Sequence, residues 1–180
     1  WDGDGNFSWE RFEERYVSDL ADGLGNLASR SLAMLEKYRG GVVPADEART
    51  SLDETGAAVV AKFADAMDAL DLRGAAETAW ELVSRANGYI VETAPWALAK
   101  AGREAELDAV LAALARCLAR LAAMITPFMP GKAATLWLHL GAPADVQARA
   151  WELASDPAVG GWRASKPEGL FPRPQPPGAG

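Results

Sequence analysis

Histidine is almost missing from this chain: His139 is the only one in 180 residues. No histidine metal cluster and no histidine-based catalytic triad can therefore be assembled. Cysteine is as scarce. Cys117 stands alone, which excludes an internal disulfide framework and suits a reducing compartment. It lies on an apolar helix face, where a thiol serves as a core filler. Long apolar runs are also lacking, because Arg or Glu interrupts them every few residues. No stretch could span a bilayer and no signal peptide opens the chain, so no membrane partner and a cytoplasmic location are expected. Positive charge is in deficit: 18 Lys and Arg stand against 25 Asp and Glu, for a net charge of −7 and a pI near 4.8. That balance excludes indiscriminate binding to nucleic acid, which uses a basic surface, but leaves room for a small, shape-specific RNA contact.

The usual signatures of catalysis are absent too. There is no Gly-rich phosphate loop, no strand–helix alternation, and no Cys or His cluster. Acidic pairs such as Asp65 and Asp68 fall on what should be wet helix faces, and the Glu-x-x-His pattern of di-iron bundles is missing. Catalysis by this chain alone is not expected on these grounds. No catalytic residue, metal or cofactor is expected within it, and a binding or interaction domain is the remaining class.

What the sequence does contain is helical periodicity. Alanine is heavily used, and no run alternates with the period of a strand. The chain therefore predicts an all-α helical bundle over 1–160, followed by an extended Pro- and Gly-rich C-terminal tail over 161–180. Ser8 is placed to cap a first helix, on which Trp9, Phe12 and Tyr16 form an inward aromatic stripe. Ser18 and Asp19 resemble a second N-cap, which predicts a bend there. The long helix that follows should end at Gly40-Gly41, with Pro44 beyond. A short acidic helix is expected over 46–52, then one from Thr55 to about Leu70 with Val59, Phe63, Met67 and Leu70 inward. Asp71 should cap the next, with Leu72, Ala76, Ala79, Val83, Ala86 and Ile90 on one face. Pro95 ends that helix and starts a short one. From Glu104 to about Ile125 runs the strongest helix, with Leu107, Val110, Leu111, Leu114, Cys117, Leu118, Leu121 and Met124 inward. Arg116 and Arg120 lie off that stripe and are expected to be solvated. Gly131 to Leu140 forms another short helix. The opening segment, Trp1 to Asn6, places Asp2, Asp4 and Asn6 like the first half of a calcium loop, with Glu13 at the twelfth position. Phe7 stands where such a loop needs Gly, so a turn into the first helix is expected.

Asn26, Arg30 and Trp96 are surplus to packing. Within RYVSDLADGLGNLASR, Leu20, Leu24, Leu27, Ser31, Met34 and Leu35 share one stripe. Asn26, Arg30 and Lys37 share a second about a quarter turn away. The second stripe is either a solvated flank or, at the edge of the core, a set of donors with one charge that suits a base edge and a phosphate. Arg11, Arg15, Arg30, Lys37 and Arg39 make positive charge locally available. Trp96 sits at a helix-to-helix corner, either plugging it or presenting a flat π surface beside a groove. Asn87 is either a buried amide that ties helices together or a ligand contact.

Four stretches carry a family likeness: RYVSDLADGLGNLASRSLAMLEKYRGGVVP (Arg15 to Pro44), ANGYIVETAPWALAK (Ala86 to Lys100), ITPFMPGKAATLWLHLG (Ile125 to Gly141) and KPEGLFPR (Lys166 to Arg173). In this order and spacing the chain resembles the C-terminal anticodon-binding domain of methionyl-tRNA synthetase, a class I aminoacyl-tRNA synthetase. The resemblance implies a helical bundle that reads the CAU anticodon of methionine tRNA. It assigns anticodon contacts to Asn26 and Arg30, and stacking on the first anticodon base to Trp96. It also implies a parent enzyme that joins methionine to its tRNA with ATP and magnesium, and a catalytic domain as intramolecular partner. The last helices and the tail would pack against that domain. Two departures stand out. Val17 replaces the Asn usual before the SDL-like segment, and the catalytic half, with its His-x-Gly-His-like and Lys-Met-Ser-Lys-Ser signatures, is not in this chain. The alternative is a free-standing helical interaction module that has lost RNA binding.

Overall fold

The computed structural model describes residues 8–144, 146–165 and 169–172. The helices run in the order α1 (Trp9–Arg15), a π-helical segment (Tyr16–Gly25), α2 (Asn26–Arg39), α3 (Ser51–Asp68), α4 (Leu72–Thr93), α5 (Pro95–Lys100), α6 (Glu104–Ile125) and α7 (Pro130–Leu140). A 3₁₀ turn (Val146–Arg149) leads into α8 (Ala150–Ser155). The described residues contain no strand, only one isolated antiparallel bridge between Val42 and Arg163. The calcium-like opening segment lies outside the described residues, as do 173–180.

Local chemistry sets most of the boundaries. Ser8 accepts from the Arg11 N–H at 3.2 Å and starts α1. Asp71 accepts from the Gly74 N–H at 2.9 Å and starts α4. Gly40, at φ 56°, ends α2 in the left-handed conformation that glycine adopts at least cost. Pro95 occupies the first turn of α5, where its missing N–H costs nothing.

α6 is the axis of the bundle and packs against α2, α3, α4, α5, α7 and α8. Every residue from Val110 to Ile125 is buried: leucines fill one face and alanines much of the other. Small alanine side chains let neighbouring helices close on α6 from all directions, so beyond its exposed first turn it has no wet face. Cys117 sits inside this core, where burial pushes its thiol up to about 12 and leaves it unreactive.

That geometry corrects the expectation for Arg116 and Arg120, which are 5 % and 2 % exposed rather than solvated. Their partner is Asp53, itself buried on α3. Arg116 forms a two-pronged pair with it, Nε to Oδ1 at 2.6 Å and Nη2 to Oδ2 at 2.7 Å. Arg116 also donates to the carbonyls of Asp46 and Ala48 at 2.8 and 3.0 Å. Asp53 closes a capping box with Thr50, whose N–H and hydroxyl both donate to Oδ2 at 3.0 Å. The arginine therefore holds residues 46–48 extended by their carbonyls. This is why the short acidic helix expected over 46–52 does not form and α3 begins at Ser51, not Thr55.

Arg120 is served poorly by comparison. It makes one 3.5 Å contact to Asp53, and its Nε is buried without a partner. Gly56 leaves room for it: a Cβ there would lie 3.0 Å from Arg120 Cδ. Desolvating a guanidinium for one long contact is unfavourable, and an apolar chain of similar length avoids that cost. Arg120→Met is expected to raise stability by about 1 kcal/mol, seen as a higher urea midpoint with an unchanged slope. A lower midpoint would show that Arg120 is needed to balance Asp53.

Other expectations are corrected at the ends of elements. Trp9 and Phe12 are 69 % and 50 % exposed, so the α1 aromatic stripe faces outward, and only Tyr16 packs on the core. Leu70, at φ 58° in the α3–α4 turn, and Leu72 are exposed as well. No second N-cap or break occurs at Ser18–Asp19; the chain continues through the π segment. The tail returns across the bundle. Val43 and Gly161 exchange backbone bonds with residues 162 and 43 at 2.9 Å, and Ala164 N–H donates to Gly41 at 2.7 Å. Gly41 and Gly141, at φ 80° and 72°, flank this segment so closely that a Cβ would lie 2.6 Å from Ala164 O and 2.1 Å from Arg163 O. Leu170 and Phe171 are then buried, held by Lys132 Nζ donating to Leu170 O at 2.7 Å and Tyr16 Oη donating to Pro172 O at 3.0 Å.

Candidate nucleic-acid interface

The π segment forms part of one wall of an open groove beside Asn26 and Arg30. In a π-helix each carbonyl is paired five residues on instead of four, so the turns are wider and the register of side chains shifts. The shift carries Asn26 and Arg30, at the start of α2, round toward α4. Two bonds fix the segment there. Trp80 Nε1 donates to Asp19 O at 3.0 Å, and Asn87 Nδ2 donates to Gly23 O at 3.3 Å. Gly25 lies against Phe171, and the tight neighbour of a Cβ there would be Leu20 O at 3.0 Å, within the π segment itself.

Between the π segment and α2 on one side and α4 on the other runs an open groove of about 510 Å³. Asn26, Arg30, Asn87, Gly88 and Val91 line it, with Asp19, Asp22 and Trp80 toward its other end. Asn26 is exposed and its Nδ2 donates to Asn87 Oδ1 at 3.5 Å. Arg30 is half-buried and forms no ion pair with a described residue, so its guanidinium is available to an anion. Gly88 has no side chain to obstruct the α4 wall, and Val91, 64 % exposed, gives an apolar surface next to it.

Asn26 and Arg30 thus share one groove. Trp96 does not line it. The indole stands at the corner between α4 and α5, past Val91, where Ala94 takes a left-handed φ of 41° and Pro95 is buried beneath. It is 47 % exposed, so half of its surface faces solvent. Lys37 is exposed and sits 5.0 Å from the centre of the Tyr38 ring. Two of the five basic residues noted in the opening helices are committed elsewhere. Arg15 pairs with Asp19 at 3.1 Å, and Arg39 pairs with Asp108 and with Glu104 at 2.7 Å.

Asn87 behaves as the amide that ties helices together, with one bond to its own helix and one to the π segment. The contributions of Gly88 and Val91 to the groove were not apparent from sequence. Val91 lies outside the apolar stripe of α4, four residues on from Asn87, and that offset is the signal that could have found it.

Comparison with known proteins agrees with this architecture. Residues 39–173 match the family described as the anticodon binding domain of methionyl tRNA ligase. A methionine–tRNA ligase of Caldanaerobacter subterraneus subsp. tengcongensis is 40 % identical over 176 residues, covering 94 % of this chain and 27 % of that protein. One from Streptomyces coelicolor is 37 % identical, covering 94 % of this chain and 34 % of the relative. The crystal structure of the apo, free-state methionyl-tRNA synthetase of Mycobacterium tuberculosis superposes with a TM-score of 0.87 at 31 % identity, over 97 % of this chain and 36 % of that one. The bundle is therefore that of an aminoacyl-tRNA synthetase anticodon-binding domain. Within that class the chain belongs to the methionyl-tRNA ligase family, as its anticodon-binding domain. It spans only about a quarter to a third of the length of these relatives.

Proposed function

We propose that this chain recognises the CAU anticodon of methionine tRNA within an enzyme that joins methionine to that tRNA at the expense of ATP. The observation that carries the reading is that Asn26 and Arg30 share one open groove against α4. Arg30 supplies the charge for a phosphate, and Asn26 supplies the amide for a base edge. Trp96, half exposed at the end of α4, supplies the stacking surface for the first anticodon base. The partners in this reading are the anticodon loop and the catalytic domain of the same enzyme. The catalytic domain also holds the acceptor end, ATP and magnesium. A cytoplasmic setting follows from the same role, and no described helix is long and apolar enough to cross a membrane.

The test is binding of a labelled anticodon stem-loop with CAU beside one with a changed first base, at one fixed moderate salt concentration, because phosphate contacts make affinity salt-dependent. The CAU loop is expected to bind at least about tenfold more tightly, the range of one good base contact. Equal affinity for both loops, or binding of neither, would overturn the proposal that this chain carries the recognition.

A further inference from the structure

The groove contains an amide pair whose orientation is set from below. Asn87 Nδ2 donates to Val83 O, one turn back on α4, at 3.1 Å, and to Gly23 O, across the interface in the π segment, at 3.3 Å. Both of its protons are thereby directed at backbone carbonyls. Turning the amide over would set Oδ1 against two carbonyl oxygens, so Oδ1 must take the remaining side. That side faces Asn26, and Asn26 meets it with Nδ2 at 3.5 Å. The backbone of two elements thus sets the direction of Asn87, and Asn87 turns its Oδ1 toward the Asn26 amide across a long contact of 3.5 Å.

We infer that Asn87 is a positioning residue that makes Asn26 present its Oδ1, a hydrogen-bond acceptor, to the groove. This inference rests on the anticodon-recognition reading and specifies its chemistry. An acceptor at that place selects a base with an exocyclic amino group, cytosine N4 or adenine N6. It rejects a base that carries a carbonyl oxygen at the same position, as uracil does. A free Asn amide could swing either face to the ligand and would accept both. Specificity therefore resides in Asn87, although Asn26 makes the contact.

The experiment uses three stem-loops with the anticodons CAU, UAU and CIU, where I is inosine. UAU and CIU each replace one amino group by a carbonyl oxygen. The parent chain is compared with Asn87→Leu, which keeps the branched shape at a larger volume and removes the hydrogen bonds, with Asn26→Ala, and with the double variant. The parent should favour CAU over one of the two altered loops by about tenfold. In Asn87→Leu that ratio should fall below about threefold, with helicity by circular dichroism and the affinity for the altered loop retained. Asn26→Ala should lose the same ratio, and the double variant should lose no more than either single one. A purely structural role for Asn87 would weaken all three loops alike and leave the ratio unchanged. Asn87→Leu with the parental ratio would overturn the inference while leaving anticodon recognition standing. A parent chain that makes no distinction among the loops would overturn the recognition reading and the inference with it. Side-chain amide NMR gives an independent check: the Asn26 NH₂ resonances should move in Asn87→Leu, and unmoved resonances would also overturn the inference.

Discussion

Asp53→Asn is expected to lower the stability of the domain by about 3 to 5 kcal/mol, the cost of leaving a buried charge without its partner. Asp53 is the only counter-charge in contact with the two buried guanidiniums of α6 among the described residues. The neutral amide cannot accept from Arg116 as an ion would, and one of its two polar atoms is a donor facing donors. It also loses half of the capping box that starts α3. Arg116 would then release the carbonyls of Asp46 and Ala48, and the 46–50 connection would lose its anchor. Domains of this kind are stable by about 5 to 15 kcal/mol, so the variant should unfold at a much lower urea concentration at neutral pH. Glu54→Gln, next to it but exposed, should change stability by less than about 0.5 kcal/mol. Arg116→Met in the Asp53→Asn background should recover a large part of the loss, because the stranded charge is then removed. A loss under about 1 kcal/mol for Asp53→Asn would mean that the arginines find water or another acceptor when Asp53 is neutral.

The same cluster predicts a pH dependence. Burial alone would push the Asp53 carboxyl up, but the Arg116 guanidinium and the Thr50 N–H outweigh it and hold the group down at about 2, against 3.8 ordinarily. The folded chain therefore binds this proton less readily than the unfolded chain. The contribution is complete above about pH 4 and is lost as pH falls through about 2. At roughly 1.4 kcal/mol per pKa unit it amounts to about 2 to 3 kcal/mol. Acid titration of stability between pH 5 and 2 should show this fall in the parent chain and lack that component in Asp53→Asn.

None of this cluster was legible in the sequence by periodicity alone. A helical wheel divides residues into an apolar stripe and the rest, and on α6 it sends Arg116 and Arg120 to the outside. The informative feature was what accompanied them. Between Asp108 and Lys132 these two are the only charged residues, and the rest of the back face is alanine. A face of alanines with two isolated cations is built to be covered, and the covering helix must bring an anion. The wheel failed at the π segment for another reason. It assumes an α-helical turn throughout, so it could not show how Asn26 and Arg30 are rotated toward α4. By contrast, the caps at Ser8, Gly40, Asp71 and Pro95 were legible because each depends on one residue and its immediate neighbours. Asn26 and Arg30 were legible as polar positions beside an apolar stripe. The groove they enter was not, because its other wall lies some 60 residues away on α4.

Trp96→Ala is expected to weaken binding of the CAU stem-loop by at least about tenfold while leaving the fold intact, since stacking a base on an aromatic ring is worth roughly 1 to 3 kcal/mol. The fold should tolerate the change because Pro95 and Leu98, both buried, anchor α5 while the indole is half exposed. Trp96→Phe should retain part of the affinity, because a smaller ring still offers a π face. A loss of helicity in Trp96→Ala would instead identify the indole as the plug of the α4–α5 corner, and unchanged affinity with normal helicity would remove Trp96 from the interface. Salt separates its role from that of Arg30. A phosphate contact releases counterions and stacking does not, so log K plotted against log salt should become shallower by about one unit in Arg30→Ala. Trp96→Ala should shift the same line downward and keep its slope. Two variants with similar affinity at one salt concentration would then diverge at another, which assigns the charge to the groove and the stacking surface to the corner.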